Sequence, residues 1–554
     1  MDLSSRLFVV DIESLGVGEL LFHSLSGTEA LSDLYEFEVT LLHPHNNLDI
    51  AALLGKSLTL EIRDIPASSR YLNGKITRMA LSGREAGGNR HYIYRALVRP
   101  GLWYLTQSSD CRIFQEKSVP EILAQVLGEY RIGFVNRLSA GYRVWNYCVQ
   151  YQETDFAFVS RLMEHEGIYY YFTHQQGEHV LVLADAPQGH DALPGYASID
   201  YRLAEGGAVD LRACIREWTV AASIHSSQVS LDDYNYLKPR ARLLSVGQNP
   251  ASHAQDKARL FEWPGVYTER DQGDFYVRVR QQALEARHAS MHGSASSLGP
   301  APGRVFQLQG APRQADDQQY LVHRARYFFQ ENSYASNSED RPEHRIDFDA
   351  IPATVNWRPQ RLTPWPKTSG PQTAEVVGPE GESIWTDQYG RVKLRFHWDR
   401  YAAGDDTSSC WVRVSSGWWA GWKYGAVQVP RVGEEVIVDF VNGDPDRPLI
   451  TGRVYNEDNM PPWDLPAQAT RMGIVSRSKD GTAQNASFFC LDDTRGVERF
   501  DMHAERDMNI SVENDQNISV ENDQNTTVAH DQNTNVLNDV NIKITNNMTI
   551  VLGG

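Results

Sequence analysis

The last part of the chain repeats a pattern of eight residues, and this repeat limits the possible folds more than any other feature. From residue 509 the sequence reads NISVENDQ, NISVENDQ, NTTVAHDQ, NTNVLNDV, NIKITNNM and TIVLGG. The second and fourth places hold mostly β-branched residues, which favour extended backbone and share one side of a strand because they are two residues apart. An Asn-Asp-Gln-Asn block separates them, and Asn and Asp favour turns. Each octad therefore predicts a short strand followed by a corner.

Such strands need neighbours. The eight-residue period does not match a helical seam, and the paired glycines of calcium-binding nonapeptide repeats are missing from the octads. One chain alone would leave its strand edges bare. We therefore predict that residues 509–554, the octad segment, form an intertwined trimeric β-prism that gains about 5 Å of height per octad. A disordered Asn-rich tail is the alternative, and the strict spacing of the β-branched residues argues against it. The predicted needle core is Ile510, Val512, Ile518, Val520, Thr526, Val528, Thr534, Val536, Ile542 and Ile544.

The composition indicates a globular protein of several domains. The chain has 554 residues, of which 41% are hydrophobic and 22% charged. Its formal net charge of −18 argues against binding of nucleic acid or of an anionic membrane, because either partner would be repelled.

The cysteines and the first residues indicate where the protein works. The five cysteines show no CxxC spacing, so we expect free thiols in a cytosolic protein and neither a disulfide framework nor a zinc site. The only apolar run near the start, Leu7 to Val10, is too short for a signal peptide, and no later run could span a bilayer. Export would therefore need a route without a signal peptide.

Residues 1–371 predict a β-rich base with a few helices. The first hundred residues alternate strand-like runs with turn signals. One helix is predicted to begin after Ser118, and a second is predicted between a Thr154 cap and Gly167. A second β-rich body follows at 182–348, with one helix near 275–288, before a Pro-rich linker.

Residues 372–456 predict a small barrel. The runs TAEVVG, GRVKLRFHW, CWVRVSS, GAVQVP, GEEVIVDFV and PLITGRVY are short and are separated by Gly, Asp and Pro turns. Strands at this spacing are typical of the oligonucleotide/oligosaccharide-binding (OB) fold. We predict a linker and needle lead-in at 457–497 and the β-prism at 498–554.

Long segments of the chain resemble one family. They include SGTEALSDLYEFEVTLL, RIFQEKSVPEIL and VQYQETDFAFVSRLMEHEGIYYYF in the base, and GPEGESIWTDQYGRVKLRFHWDR and GAVQVPRVGEEVIVDFVNGDPDRPLITGRVYN in the barrel. These segments, with the lead-in HAERDMNISVENDQ, resemble the VgrG spike proteins of bacterial type VI secretion systems, which are similar to the hub and spike of contractile phage tails. The segment ASFFCLDDTRGVERFDM departs from the more charged sequence that relatives carry there.

The resemblance implies a mainly β fold: a hub with two tube-protein-like β-barrels and a few helices, an OB-fold neck, and a C-terminal intertwined trimeric needle. It also implies a homotrimer that caps a secretion tube, with a tube protein of the Hcp kind at the N-terminal base. A PAAR-type tip protein and effectors would bind at the C-terminal end. The assembly would form in the cytoplasm, cross the target membrane mechanically and be released without a signal peptide.

We predict no catalytic residues, cofactor or metal. Motifs of the GxSxG, HExxH or phosphate-loop kind are missing from the sequence. The cluster Glu164-His165-Glu166 ends an amphipathic helix and predicts a solvated face, and His43 and His45 lack an evident third ligand.

Two other groups of side chains have alternative roles. An aromatic set next to Lys423 could stack on sugars or bases, but packing in the barrel core or between chains is favoured because of the net charge. This set is Trp411, Trp418, Trp419 and Trp422. The corner residues Asp515, Asp523 and Asp531 are predicted to face solvent. The alternative functions are a phage-tail-like hub and spike, a cell-wall hydrolase and a carbohydrate-binding spike.

Overall fold

The computed structural model of the chain describes residues 6–63, 69–85, 91–202, 213–249, 258–332, 334, 342–420, 423–551 and 553. The chain divides into two compact units, Met1–Met460 and Pro461–Gly554. Strands are more abundant than helices in the described residues, as the sequence predicts.

The first unit begins with six strands, which confirms the all-β prediction for this stretch. The strands are β1 (Phe8–Ile12), β2 (Leu21–Ala30), β3 (Glu36–His43), β4 (Ser57–Ile62), β5 (Arg70–Arg84) and β6 (Tyr92–Arg99). They pair in the order β1-β4-β5-β6-β3-β2, and every pairing is antiparallel. Along β3, Phe37, Val39 and Leu41 are buried while Glu36 and Glu38 are exposed, so the alternation of the sequence places one face in the core.

Two helices and seven strands follow. The strands are β7 (Ser109–Phe114), β8 (Lys117–Ser118), β9 (Phe134–Arg137), β10 (Val144–Trp145), β11 (Cys148–Thr154), β12 (Tyr169–Gln175) and β13 (Glu178–Ala184), and the helices are α1 (Val119–Glu129) and α2 (Asp155–Glu166). The backbone N–H of Ser118 donates to the Glu121 carboxylate at 2.8 Å, and the Ala157 N–H donates to the Thr154 hydroxyl at 3.1 Å. Gly167 ends α2 with a φ of 74°. All three predicted caps are confirmed.

The second β-rich body shares a sheet with the first. Its elements are β14 (Asp191–Ala192), β15 (Ser198–Asp200), β16 (Ile215–Ala222), β17 (Gln228–Leu231), β18 (Ser245–Gln248), β19 (Arg259–Glu262), α3 (Arg270–Glu285), β20 (Ala289–Ala295), β21 (Arg304–Gln309), β22 (Gln319–Gln330) and β23 (Glu343–Pro352). Strand β22 pairs with β2, so the two bodies form one 13-stranded sheet. Helix α3 begins earlier than predicted because Glu269 and Gln272 form a capping box.

The OB module follows. Its strands are β24 (Gln372–Val377), β25 (Lys393–Phe396), β26 (Arg413–Val414), β27 (Trp419–Ala420), β28 (Tyr424–Gly425), β29 (Glu435–Phe440) and β30 (Pro448–Val454). Five of them form a sheet in the order β25-β24-β29-β30-β26, and a bridge between Val392 and Val412 links its two ends. The predicted strand at 425–430 is wrong, since only its first residue lies in a strand. The other five predicted strands form the sheet.

The second unit contains a sheet that was not predicted from the sequence. Three strands, β31 (Arg471–Val475), β32 (Phe488–Asp492) and β33 (Arg499–His503), form an antiparallel sheet in chain order. The first two lie in the predicted linker and needle lead-in at 457–497, and the third lies at the start of the predicted β-prism at 498–554. Beyond it, the described residues 504–551 contain no strand. A strand is defined by its ladder partner, so the strands of the octads remain a prediction about the assembly.

Candidate assembly surface

The octad segment has a regular backbone geometry. Bends occur at 505–506, 513–514, 521–522, 529–530, 537–538 and 545–546, one every eight residues. Within each octad the bend occupies the fifth and sixth places, one place earlier than the predicted corner block. The period of the sequence is therefore also the period of the backbone.

The two predicted core places keep constant but different exposures. Isoleucines in the second place are 68–69% exposed at Ile510, Ile518 and Ile542, whereas the fourth place is 45–50% exposed from Val512 to Ile544. Thr526 and Thr534 are also exposed. One chain by itself leaves every predicted core residue uncovered.

Strands β31 to β33 present a second uncovered apolar surface. Met472 lies opposite Leu491 and Leu491 opposite Phe500, while Ile474 lies opposite Phe489 and Phe489 opposite Met502. Opposed residues share one face of a sheet, and these six are 38–59% exposed. We name them the collar face: Met472, Ile474, Phe489, Leu491, Phe500 and Met502. The alternation of polar and apolar residues within RFDMH and the apolar run within FFCLD were the sequence signals that could have revealed it.

The opposite side of this sheet is mostly polar. Arg471 pairs with Asp492 at 3.1 Å and Arg499 with Asp501 at 2.8 Å. Among the described hydrophobic residues of the second unit, Cys490 is the only one that is buried. The second unit therefore has no hydrophobic core of its own.

Exposed aromatic residues also occur in the OB module. Trp418 is 63% exposed and its ring lies 5.9 Å from that of Tyr424, so the barrel-core interpretation is wrong for Trp418. Trp411 is half-buried and stacks on Trp385 at 6.3 Å. Trp422 lies outside the described residues, and packing between chains remains a prediction for Trp418.

The acidic cluster at the end of α2 is buried, which corrects the prediction of a solvated face. Helix α3 and the linker near 362 cover it, and neither is close in sequence. Glu166 accepts hydrogen bonds from the Trp145 indole and the Tyr276 hydroxyl, both at 3.0 Å, and burial raises its pKa. Burial, together with the Arg280 guanidinium, lowers the pKa of His165 well below its usual range.

Glu164 holds the linker in place. Its carboxylate accepts the backbone N–H groups of Leu362 and Thr363, both at 2.9 Å, and the Thr363 hydroxyl at 2.8 Å. The buried cluster thus fixes the linker that leads to the OB module.

A polar joint fastens the OB module to the base. The Val149 N–H donates to Asp446 Oδ1 at 2.6 Å, and the Arg447 guanidinium donates to both oxygens of Asp233 at 3.0 and 2.7 Å. Burial and the neighbouring Asp444 carboxylate raise the pKa of Asp446 to about 8. In the sequence, GDPDRP indicated only a turn.

The next feature is the set of possible metal ligands in the described part of the chain. This part holds no group of three or more His, Cys, Asp or Glu residues placed to bind a metal. His43 is buried, and its Nδ1 lies 2.9 Å from the backbone oxygen of His45. All five cysteines are free thiols, and none of the described helices is long and apolar enough to cross a membrane.

Three family models match successive parts of the chain. The model for the phage tail baseplate hub (GPD) matches residues 28–333, and that for the type VI secretion system/phage-baseplate injector OB domain matches 384–455. The model for the bacteriophage T4 gp5 C-terminal trimerisation domain matches 472–554, which includes the collar face and the octad segment.

Individual proteins are similar over most of the chain. The type VI secretion system spike protein VgrG1b of Pseudomonas aeruginosa is 42% identical over 518 residues, which cover 92% of this chain and 69% of the relative. The actin cross-linking toxin VgrG1 of Vibrio cholerae is 33% identical over 522 residues, which cover 92% of this chain and 47% of the toxin.

A solved structure shares the fold. The E. coli c3393 protein, described as a type VI secretion component with structural similarity to the T4 tail proteins gp27 and gp5, matches with a TM-score of 0.57 at 21% identity, over 80% of this chain and 99% of that chain. With relatives at 42% identity and a hub model that spans more than half of its length, the chain belongs to the VgrG family of type VI secretion system spike proteins.

Proposed function

We propose that three copies of this chain form the puncturing spike at the tip of a type VI secretion tube. The observation that carries this proposal is that the apolar residues of the second unit, which recur every eight residues in the octad segment, are exposed in a single chain. Apolar side chains left in water over so long a segment would favour association. The match of 472–554 to a trimerisation domain supports three chains.

In this spike the second and fourth places of the octads would fill the axis. The outward Asn, Asp and Thr side chains would keep the shaft soluble, with Asp515, Asp523 and Asp531 facing water. Backbone groups that find no partner within one chain would pair with strands of its neighbours. Three chains wound in this way cannot separate without unwinding, and the shaft can therefore transmit force.

The base and the tip would bind different partners. The hub would contact an Hcp-like tube protein, and the C-terminal end would carry a PAAR-type tip protein and effectors. The spike would assemble in the cytoplasm and then leave the cell with the tube, crossing the target membrane mechanically.

The role we propose is mechanical, without a catalysed reaction. The relative named as a toxin extends well beyond the part that this chain matches, which covers 47% of it. A peptidoglycan-release assay on the purified protein tests the hydrolase alternative; release above that of a buffer blank would contradict the mechanical role. A glycan array tests the carbohydrate-binding alternative.

The central test is assembly together with export. Native mass spectrometry of the purified protein should give three times the chain mass of 62.6 kDa. In a strain that lacks its own spike gene, the protein should restore export of the tube protein, and a Val520→Asp variant should not. A monomeric mass for the unaltered chain, or export that does not depend on it, would contradict the proposal.

A further inference from the structure

The octad segment does not by itself determine which octads of the three chains lie at the same height. Residues 509–516 and 517–524 are identical, and the fourth place holds Val or Ile in all five full octads. A chain that slips by eight residues therefore places Val against Val and loses only one octad of overlap. Register is weakly specified where a pattern repeats unchanged. A trimer built from the octads alone could form in several staggered arrangements.

The collar face lacks this ambiguity. It occurs once per chain, and its two cross-strand rows differ: Met472, Leu491 and Phe500 form one, and Ile474, Phe489 and Met502 the other. A displaced copy would bring side chains of different shapes together. The sheet is also one-sided, because Arg471–Asp492 and Arg499–Asp501 pairs lie on the other face. It cannot turn over without burying charge.

We infer that the collar face packs against the collar faces of two further copies of this chain and sets the register of the octad segment. The occupant is another copy because the interface is continuous: the match to a trimerisation domain begins within β31 and runs to the last octad. This inference rests on the proposed trimer. It adds that the collar selects one arrangement among those that the octads permit, as unique contacts do in repetitive assemblies.

The first experiment weakens the packing of the collar face and measures hydrogen exchange in the last octads. In Phe489→Gln/Met502→Gln, a directly opposed pair of the collar face becomes polar. Staggered chains would leave a terminal octad without neighbours, so hydrogen exchange of 541–551 in the purified trimer should rise about tenfold or more, while 517–532 stays protected. The control Phe488→Gln lies on the same strand but faces the other way, and its exchange should match that of the unaltered trimer. Unchanged exchange at 541–551, or a uniform loss along the octads, would overturn the inference.

The second experiment leaves the collar intact, so it holds even if the double variant fails to fold. One chain carries an extra NISVENDQ after Gln516 and is co-expressed with the unaltered chain. If register is set at the collar, the surplus octad emerges at the C-terminal end of the longer chain, where exchange and proteolysis detect it. A surplus that loops out near the insertion would overturn the inference. A monomeric unaltered chain would instead contradict the proposed function.

Discussion

Asp446 should make the joint between the base and the OB module sensitive to pH. Its carboxyl is buried and accepts the Val149 N–H at 2.6 Å. Burial and Asp444 raise its pKa from 3.8 to about 8. The folded joint therefore favours the neutral acid, whereas the unfolded chain ionises it above pH ~4. The stabilisation that this group contributes is fully present below its pKa in the unfolded chain, 3.8. It decreases as the pH rises toward the pKa of the group in the folded joint, about 8.

The size of the effect follows from the two pKa values. Between pH 6 and 8 the group is ionised when unfolded but mostly neutral when folded, so each pH unit lowers the free energy of opening by about 1.4 kcal/mol. The loss over this window is roughly 2–3 kcal/mol, and it stops above the folded pKa. In Asp446→Asn an oxygen remains to accept the Val149 N–H, but the titration is removed. The variant should therefore show a flatter pH dependence.

Native-state hydrogen exchange can measure this locally, since it reports the opening of single segments in a large protein. The amides of Val149 and of β30 would be followed between pH 6 and 9, after correction for the intrinsic pH dependence of exchange. Asp439→Asn, an exposed aspartate of the same module, is the matched control and should keep the slope of the unaltered protein. Equal slopes for Asp446→Asn and the unaltered protein would refute the argument.

Three further predictions concern single contacts. Val520→Asp should abolish the stable trimer because it would bury three unpaired carboxylates in one layer, whereas the control Asp523→Asn should leave the trimer intact. A heat-resistant trimer of Val520→Asp, detected by light scattering, would show that Val520 does not face the axis. Arg447→Met should destabilise the joint by about 3 kcal/mol, because the fully buried Asp233 carboxylate loses its cation. In thermal unfolding, the double variant Arg447→Met/Asp233→Asn should recover much of this lost stability. Gly167→Ala should cost about 2 kcal/mol, since its φ is 74° and a Cβ would approach Val279 Cγ1 to 2.6 Å; a melting temperature equal to that of the unaltered protein would contradict this.

Features that depend on a few neighbouring residues could be predicted from the sequence. The caps at Ser118, Thr154 and Gly167 each require contacts within four residues, and the octad period is visible in the backbone because each bend belongs to its own repeat. The OB strands were also predictable, since their buried positions alternate within single runs.

The errors have long-range causes. Glu164, His165 and Glu166 were assigned to a solvated face because helical spacing describes one helix, not what covers it; their partners lie from 21 to 199 residues away. The collar sheet was missed because its strands are short and are separated by loops that contain Gly481 and Gly496. The predicted strand at 425–430 failed because β-propensity measures fit to a half-buried surface, and these residues are largely exposed.

The two units differ in how far their apolar residues are buried within one chain. In the first unit, hydrophobic clusters bury side chains from the hub strands, α1, α2 and the OB barrel within one chain. In the second, Cys490 is the only buried residue among the described hydrophobic ones. A segment without a core cannot offset the entropy of ordering its own backbone. In the proposed trimer, association would supply this missing burial, through the collar face and the octad segment.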